Sequence, residues 1–398
     1  MNLDGRIEPG WEPVRDAFSS NLTSRDDIGA GVAVYHRGRL VVDLTGGWRD
    51  NAGTIPYTPD TLQLVFSTTK GVVSTAVAMC VERGHFRYDD PVAHVWPAFA
   101  EAGKADVTIE QLLSHQAGLY TVDGELAFEH VLDWNEMCSR LAATAPRFEP
   151  GSQHAYHALT FGWLAGELVR RADGRNIGRF VAEEIASPLG VEIFIGLPEE
   201  LETRVAPVNT GWAKVATAAS GTTPPASKAG KFATPLVDDS PLTQALTLNG
   251  AMNVKGGFNR RDLHAAEVPG ANGITNARSM ATMYAATMGE IDVEGTRVRL
   301  VSPETMAQAT APRTPLRRDG VLIVNTRFAA GSMLNGDANA FPGDACYGHP
   351  GAGGSVSFAD PSRELAFSYV MNRMTDALLG DPRASRLVEA TTRVADAL

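Results

Sequence analysis

The chain has 398 residues, 44% of them hydrophobic and 20% charged, a balance that excludes wholesale disorder. That length is long for one simple core and points to one large composite domain or two lobes. A formal net charge of −11, without any cluster of five or more Lys and Arg, leaves no electrostatic footprint for nucleic acid or anionic lipid.

The first predicted elements form a hairpin. In "GAGVAVYHRGRLVVDLTGG", the β-branched runs Val32–Tyr35 and Leu40–Leu44 are joined by "HRGR". From Ser67 to Val81 the chain is apolar on nearly every side, with Arg83 in the last turn and Gly84 as cap, which predicts a buried helix. Residues from about 86 to 200 read as short helices broken by Pro and Gly, among them "VTIEQLLSH" and "LTFGWLAGELVRRADG". Residues 203–270 turn rich in small residues, Gly and Asn, so long ordered loops near a substrate entrance are expected there. A helix returns at "ITNARSMATMYAATMG", followed by strand-like "VLIVNTRFAAGSML", "GSVSFAD" and "ELAFSYVMN" and a terminal amphipathic helix, "PRASRLVEATTRVADAL". Strands at both ends of a helical middle predict one sheet built from both termini, with the helical region inserted. The expected parts are residues 1–85 with 290–398, carrying the sheet, and 86–289, mainly helical.

Cys80, Cys138 and Cys346 lie far apart and outside any C-x-x-C, which fits reduced thiols better than a disulfide framework. "MNLDGRIEPGWEPVRDAF" lacks a basic start followed by an apolar stretch, so a cytoplasmic location is expected. No apolar run has the length of a membrane span.

Three stretches carry candidate chemistry. In "LVFSTTKGVVSTAVAMC", Ser67 precedes Lys70 by three residues, so on a helix they share a face. A serine is a poor nucleophile until a neighbour takes its proton, and a desolvated lysine has the lowered pKa to do so. Alone, the stretch leaves two readings open: a nucleophile with its base, or the polar start of a buried helix. In "EPGSQHAYHALTFGWLAGEL", Tyr156 precedes a helix; near an ammonium it would ionise more readily and act as base, or it is a loop tyrosine packed on the core. In "YGHPGAGGSVSFAD", four glycines in seven residues allow close backbone approach to a ligand, where an amide would serve an oxyanion; a tight β-turn is the alternative. No G-x-S-x-G, H-E-x-x-H or other compact ligand set is present, so neither a nucleophile elbow nor a metal or cofactor is expected.

The order of these three, about 90 and 190 residues apart, resembles the serine hydrolases of the β-lactamase and penicillin-binding group, nearest the class C β-lactamases and the family VIII carboxylesterases. "DDPVAHVWPAF", "VTIEQLLSHQAGL", "GITNARSMA" and "ADPSRELAFSYVMNRM" are phrased as in that branch, and the likeness thins between about 200 and 265. The resemblance implies an α/β fold of the α+β kind: a β-lactamase-like central antiparallel sheet flanked by helices, with the helical insert. It implies Ser67 as nucleophile, Lys70 as its activator and Tyr156 as base or proton relay, with the amides of Ser67 and Ala352 forming the oxyanion hole. The motif that is often K-T-G in relatives is here His349-Pro350-Gly351, which makes His349 and Gly351 substrate-binding candidates.

Two departures matter. Ala158 stands where β-lactamases carry the Asn of Y-x-N, and His349 where they carry Lys, a weaker and pH-dependent cation. Both weaken recognition of a β-lactam and matter less for an uncharged ester. The expected function is therefore a serine carboxylesterase acting on small, short-chain esters through an acyl-Ser67 intermediate. A β-lactamase, a D-amino-acid amidase or peptidase, an acyltransferase to a specific alcohol and a non-catalytic binding module are the alternatives. His157, Trp212, Phe232 and the "GGF" at 256–258 are the candidates for lining the acyl pocket.

Overall fold

A computed structural model describes residues 2–24, 26–209, 240–337, 339, 341–375 and 378–398. Its central sheet has seven strands: β1 (Leu3–Ile7), β2 (Gly29–His36), β3 (Arg39–Gly47), β4 (Met333–Leu334), β5 (Tyr347–Pro350), β6 (Val356–Asp360) and β7 (Leu365–Met371). The order is β1-β3-β2-β7-β6-β5-β4, every pair antiparallel, so β2 from the start of the chain lies beside β7 from its end. The hairpin forms at the expected place. Arg37 and Gly38 take φ values of +51° and +72°, the two-residue left-handed turn whose twist matches its strands.

Alternation along the strands decides which core each side chain joins. Val32 and Val34 of β2 and Phe367, Tyr369 and Met371 of β7 face one layer, while Ala33, Tyr35, Ala366 and Val370 face the other. The first layer is closed by α1 (Glu12–Thr23) and the terminal helix α5 (Pro382–Ala397), which bring Val14, Phe18, Leu387 and Val388. Helix α4 (Ala277–Met288) lies across β2, β6 and β7 on the opposite face, although it falls in the segment expected to be mainly helical. Beyond it, α2 (Thr69–Glu82) packs on α3 (Thr160–Asp173), and α2 is buried from Thr69 to Cys80 as its apolar sequence requires.

The run from Val321 to Leu334 departs from expectation, because it is not a continuous strand. The Asp319 carboxylate accepts the Val321 and Leu322 amides at 2.8 and 2.9 Å, and Ile323 takes a φ of +61°. That turn leaves only Asn325–Thr326 and Met333–Leu334 as short strands. Cys80, Cys138 and Cys346 are buried free thiols. No described helix is long and apolar enough to cross a membrane.

Candidate active site

A second, four-stranded sheet builds the site. Leu62–Leu64 pairs with Ile274–Thr275, and the Val65 amide bonds the Gly273 carbonyl at 3.0 Å, so the chain entering Ser67 is tied to the segment around Gly270. Ser67 sits in the 3-10 turn Phe66–Thr68 just ahead of α2. Phe66 takes a φ of +48°, a strained conformation for a bulky residue, and its ring is held edge-on to Phe258 at 4.9 Å.

Lys70, the second residue of α2, is wholly buried. Its Nζ lies 3.0 Å from Ser67 Oγ, 2.6 Å from the Ala158 carbonyl and 2.7 Å from the Gly270 carbonyl. Burial holds the amine well below its usual range. Nζ donates to both carbonyls, which can only accept, so loss of its third proton would leave a lone pair directed at Ser67 Oγ. The residue at 158 thus meets Lys70 through its backbone, where an Asn side chain had been expected to be missed.

Tyr156 stacks beside this pair, with Lys70 Nζ 4.8 Å from its ring centre. Burial pushes its phenol up, and a hydrogen bond with Ser67 only partly opposes this. Burial thus acts against the easier ionisation expected of Tyr156. His349 also differs from expectation. It is fully buried, stacked on Tyr156 at 5.8 Å, and pushed down to about 3 by burial, so it presents no cation to a substrate. Its Nδ1 donates to the Pro350 carbonyl at 2.6 Å, which leaves Nε2 as an acceptor 3.5 Å from the Tyr156 hydroxyl.

His157 likewise turns away from the cleft. Its Nδ1 donates to the Ala155 carbonyl at 2.7 Å and its Nε2 accepts the Leu119 amide at 2.9 Å, so both ring nitrogens serve the backbone. With His115 and His154 it completes a set of four buried histidines around Tyr156, a grouping that no local sequence signal indicates. Trp212 and Phe232 lie outside the described residues.

The cleft at Ser67 is narrow and is lined by Tyr156, Ala158 and Ala352, with Phe66, Leu159, Leu246, Phe258, Ala271, Leu322, Pro350, Leu378 and Leu379. None of these described residues carries a charge. Phe258 was anticipated within "GGF"; the leucines were not, because nothing in their local sequence marks them. Ser67 and Ala352 each occupy the first turn of a 3-10 segment, where an amide has no acceptor within the turn, so both are available to a ligand oxygen.

Gly351 does not line this cleft but packs against the serine turn. A Cβ there would lie 2.2 Å from Ser355 Oγ and 2.3 Å from the Val65 carbonyl oxygen. Gly351→Ala is therefore expected to lower stability by about 1–3 kcal/mol and depress turnover as β5 is pushed from Ser67, checked by thermal melting and ester hydrolysis. Among the described residues no group of three or more His, Cys, Asp or Glu is placed to hold a metal ion.

The antiparallel sheet, the helices on its two faces and the serine at the head of a buried helix define a β-lactamase-like fold. The chain belongs to the Beta-lactamase family, whose model matches residues 14–391. It is 35% identical over 377 residues to the esterase/beta-lactamase LipL of Mycobacterium tuberculosis, covering 94% of this chain and 84% of that one. It is 37% identical to a penicillin-binding protein homologue from Caulobacter crescentus, with a TM-score of 0.87 over 99% of this chain and 100% of that one. A family VIII carboxylesterase is 36% identical, with a TM-score of 0.86 over the same shares.

Proposed function

We propose that the protein is a serine carboxylesterase acting on small uncharged esters. The observation that carries this reading is the charge-free, apolar lining of the cleft at Ser67 among the described residues. A β-lactam brings a carboxylate and would meet no cation there, whereas a neutral ester loses nothing by entering. The likeness to LipL and to a family VIII carboxylesterase supports the same choice.

In this reading Ser67 Oγ attacks the ester carbonyl as its proton passes to Lys70 Nζ, 3.0 Å away. The Ser67 and Ala352 amides receive the oxyanion. Tyr156, a neutral phenol, gives its proton to the departing alkoxide as it takes one from the Lys70 ammonium, and at rest His349 Nε2 lies 3.5 Å from its hydroxyl; the alcohol leaves and acyl-Ser67 remains. Water then gives a proton to the amine and attacks the acyl carbon; as the C–Oγ bond breaks, the ammonium returns that proton to Ser67 Oγ and the acid is released. The sheet-bearing part would supply Ala352 and His349, and the helical insert Tyr156. A cytoplasmic setting belongs to this reading and is supported by the three unpaired cysteines.

Comparing kcat/KM for p-nitrophenyl butyrate with that for nitrocefin tests the choice. The ester is expected to lead by at least about 100-fold, since an unpaired buried carboxylate costs several kcal/mol. Equal values, or a lead for nitrocefin, would overturn it. A fluorophosphonate probe should add its mass to Ser67 alone.

A further inference from the structure

Away from the cleft the molecule buries an ion cluster that the steps above leave unused. Arg383, Asp27 and Asp381 are 1%, 4% and 5% exposed. Asp381 caps the first turn of α5, and Arg383 turns back from that turn into the protein. Its Nη1 donates to Asp27 Oδ1 at 2.8 Å, while Nε and Nη2 hold Asp381 at 3.0 and 2.8 Å. Such a cluster is weak grounds for stability alone, because well-packed apolar residues of similar volume often serve as well or better.

The cluster also reaches the loop after β5. Arg383 Nη2 donates to the Gly353 carbonyl at 2.8 Å, and the Thr375 amide donates to the same oxygen at 3.1 Å. Thr375 Oγ1 in turn donates to Asp381 Oδ2 at 2.8 Å. Gly353 and Gly354 take φ values of +82° and +130°, and a Cβ on Gly354 would lie 2.6 Å from both Arg383 Nη2 and Asp381 Oδ2. The glycines thus let the loop press against the ion cluster. On its other side the loop is closed by the Gly351 amide on the Ser355 carbonyl at 2.7 Å. Ala352 lies between these two anchors.

We propose that Arg383 is a positioning residue for the oxyanion hole: from the helix that ends the chain, it fixes the Gly353 carbonyl and so the direction of the Ala352 amide. This rests on the reading of Ala352 as an oxyanion donor. A hole made of two amides works only when both point at the developing charge, and a misplacement of about 1 Å costs on the order of 100-fold in rate. Lysine offers one charged centre and cannot serve Asp27, Asp381 and Gly353 together in the fork that arginine provides.

The test measures kcat and KM for p-nitrophenyl butyrate, affinity for phenylboronic acid and thermal melting in wild type, Arg383→Lys and Arg383→Met. Rates are taken well below each melting transition. The boronic acid bonds to a serine oxygen as a tetrahedral anion, so its affinity reads the oxyanion hole directly. Arg383→Met should lose about 100-fold in kcat with KM within about threefold, and boronic acid affinity should fall in step; Arg383→Lys should recover part of both. Should Arg383→Met not fold, Arg383→Lys and Thr375→Val decide by the same readouts. Unchanged kcat and boronic acid affinity in folded variants, with only the melting temperature lowered, would overturn the proposal. A wild type that neither turns over the ester nor binds the boronic acid would instead count against the esterase reading itself.

Discussion

Ser67→Ala should reduce ester turnover by at least about 10⁴-fold, to the background of the assay, while the protein stays folded. The serine is partly exposed at the cleft and makes few packing contacts of its own, so its oxygen is needed for chemistry rather than for the fold. Lys70→Met should give a loss of similar size, because the acid–base group and the nucleophile act as one unit and their losses do not add. The pH profile separates the possible bases. Lys70 is lowered by burial and Tyr156 is raised by it. If the free amine of Lys70 is the base, kcat/KM should rise once, through the lowered lysine pKa, and stay level beyond pH 9. A tyrosinate base would instead keep the rate climbing into the alkaline range, and that result would reject Lys70.

The same lysine should leave a mark on stability. In the unfolded chain it titrates near 10.5, and folding lowers that value, so lowering the pH from 10 toward 7 favours the unfolded, proton-binding state. Wild type should therefore lose stability relative to Lys70→Met over that range. A parallel course of the two proteins in denaturant titrations at pH 9.5 and 7 would mean that Lys70 stays charged.

Much of the frame is visible in local pattern. The "HRGR" turn, the apolar run after Ser67 and the amphipathic "PRASRLVEATTRVADAL" become β2–β3, α2 and α5 because each is decided by neighbours in the chain. The pairing of Ser67 with Lys70 is legible for the same reason: residues three apart share a face in helical turns, here the 3-10 turn running into α2. What stayed hidden is set by contacts across long separations. The Ala158 and Gly270 carbonyls reach Lys70 from 88 and 200 residues away, and a backbone acceptor leaves no residue type to notice. His349 was expected as a weak, pH-dependent cation because it stands where relatives carry Lys, whereas only its packing on Tyr156 shows it to be sealed. The break at Asp319 was masked by the β-branched run that follows it, since one side chain accepting two amides overrides that propensity.

Acid should unfold this protein steeply, near pH 5, and the histidines around Tyr156 are the cause. Burial pushes His157 and His349 down to about 3 and His154 to about 4, and holds His115 well below its usual value. The bonds of His157, His349 and His115 favour the neutral ring. His157 and His349 each use Nδ1–H on a carbonyl, and His115 accepts the His157 amide on Nδ1 at 3.1 Å. In the unfolded chain all four bind protons below about 6.5, while the folded protein holds His157, His349 and His154 neutral until pH 3–4 and lowers His115 in the same direction. Stability is thus full above pH 6.5 and falls as the pH drops. By linkage His154, His157 and His349 each cost about 2 kcal/mol at pH 5, together about 6, and His115 adds to this in the same direction. Asp27 works the other way, since burial raises it to about 6 and its protonation returns about 1 kcal/mol over the same interval. The remainder is comparable to the whole stability of an ordinary domain, about 5–15 kcal/mol. Denaturant titrations at pH 7.5, 6 and 5 should show a slope corresponding to net uptake of about two to three protons on unfolding at the lowest pH. A stability that stays level from pH 7.5 to 5 would mean that these rings accept protons in the folded state, and the dry surroundings assigned to Tyr156, on which its role as a neutral relay depends, would fail with it.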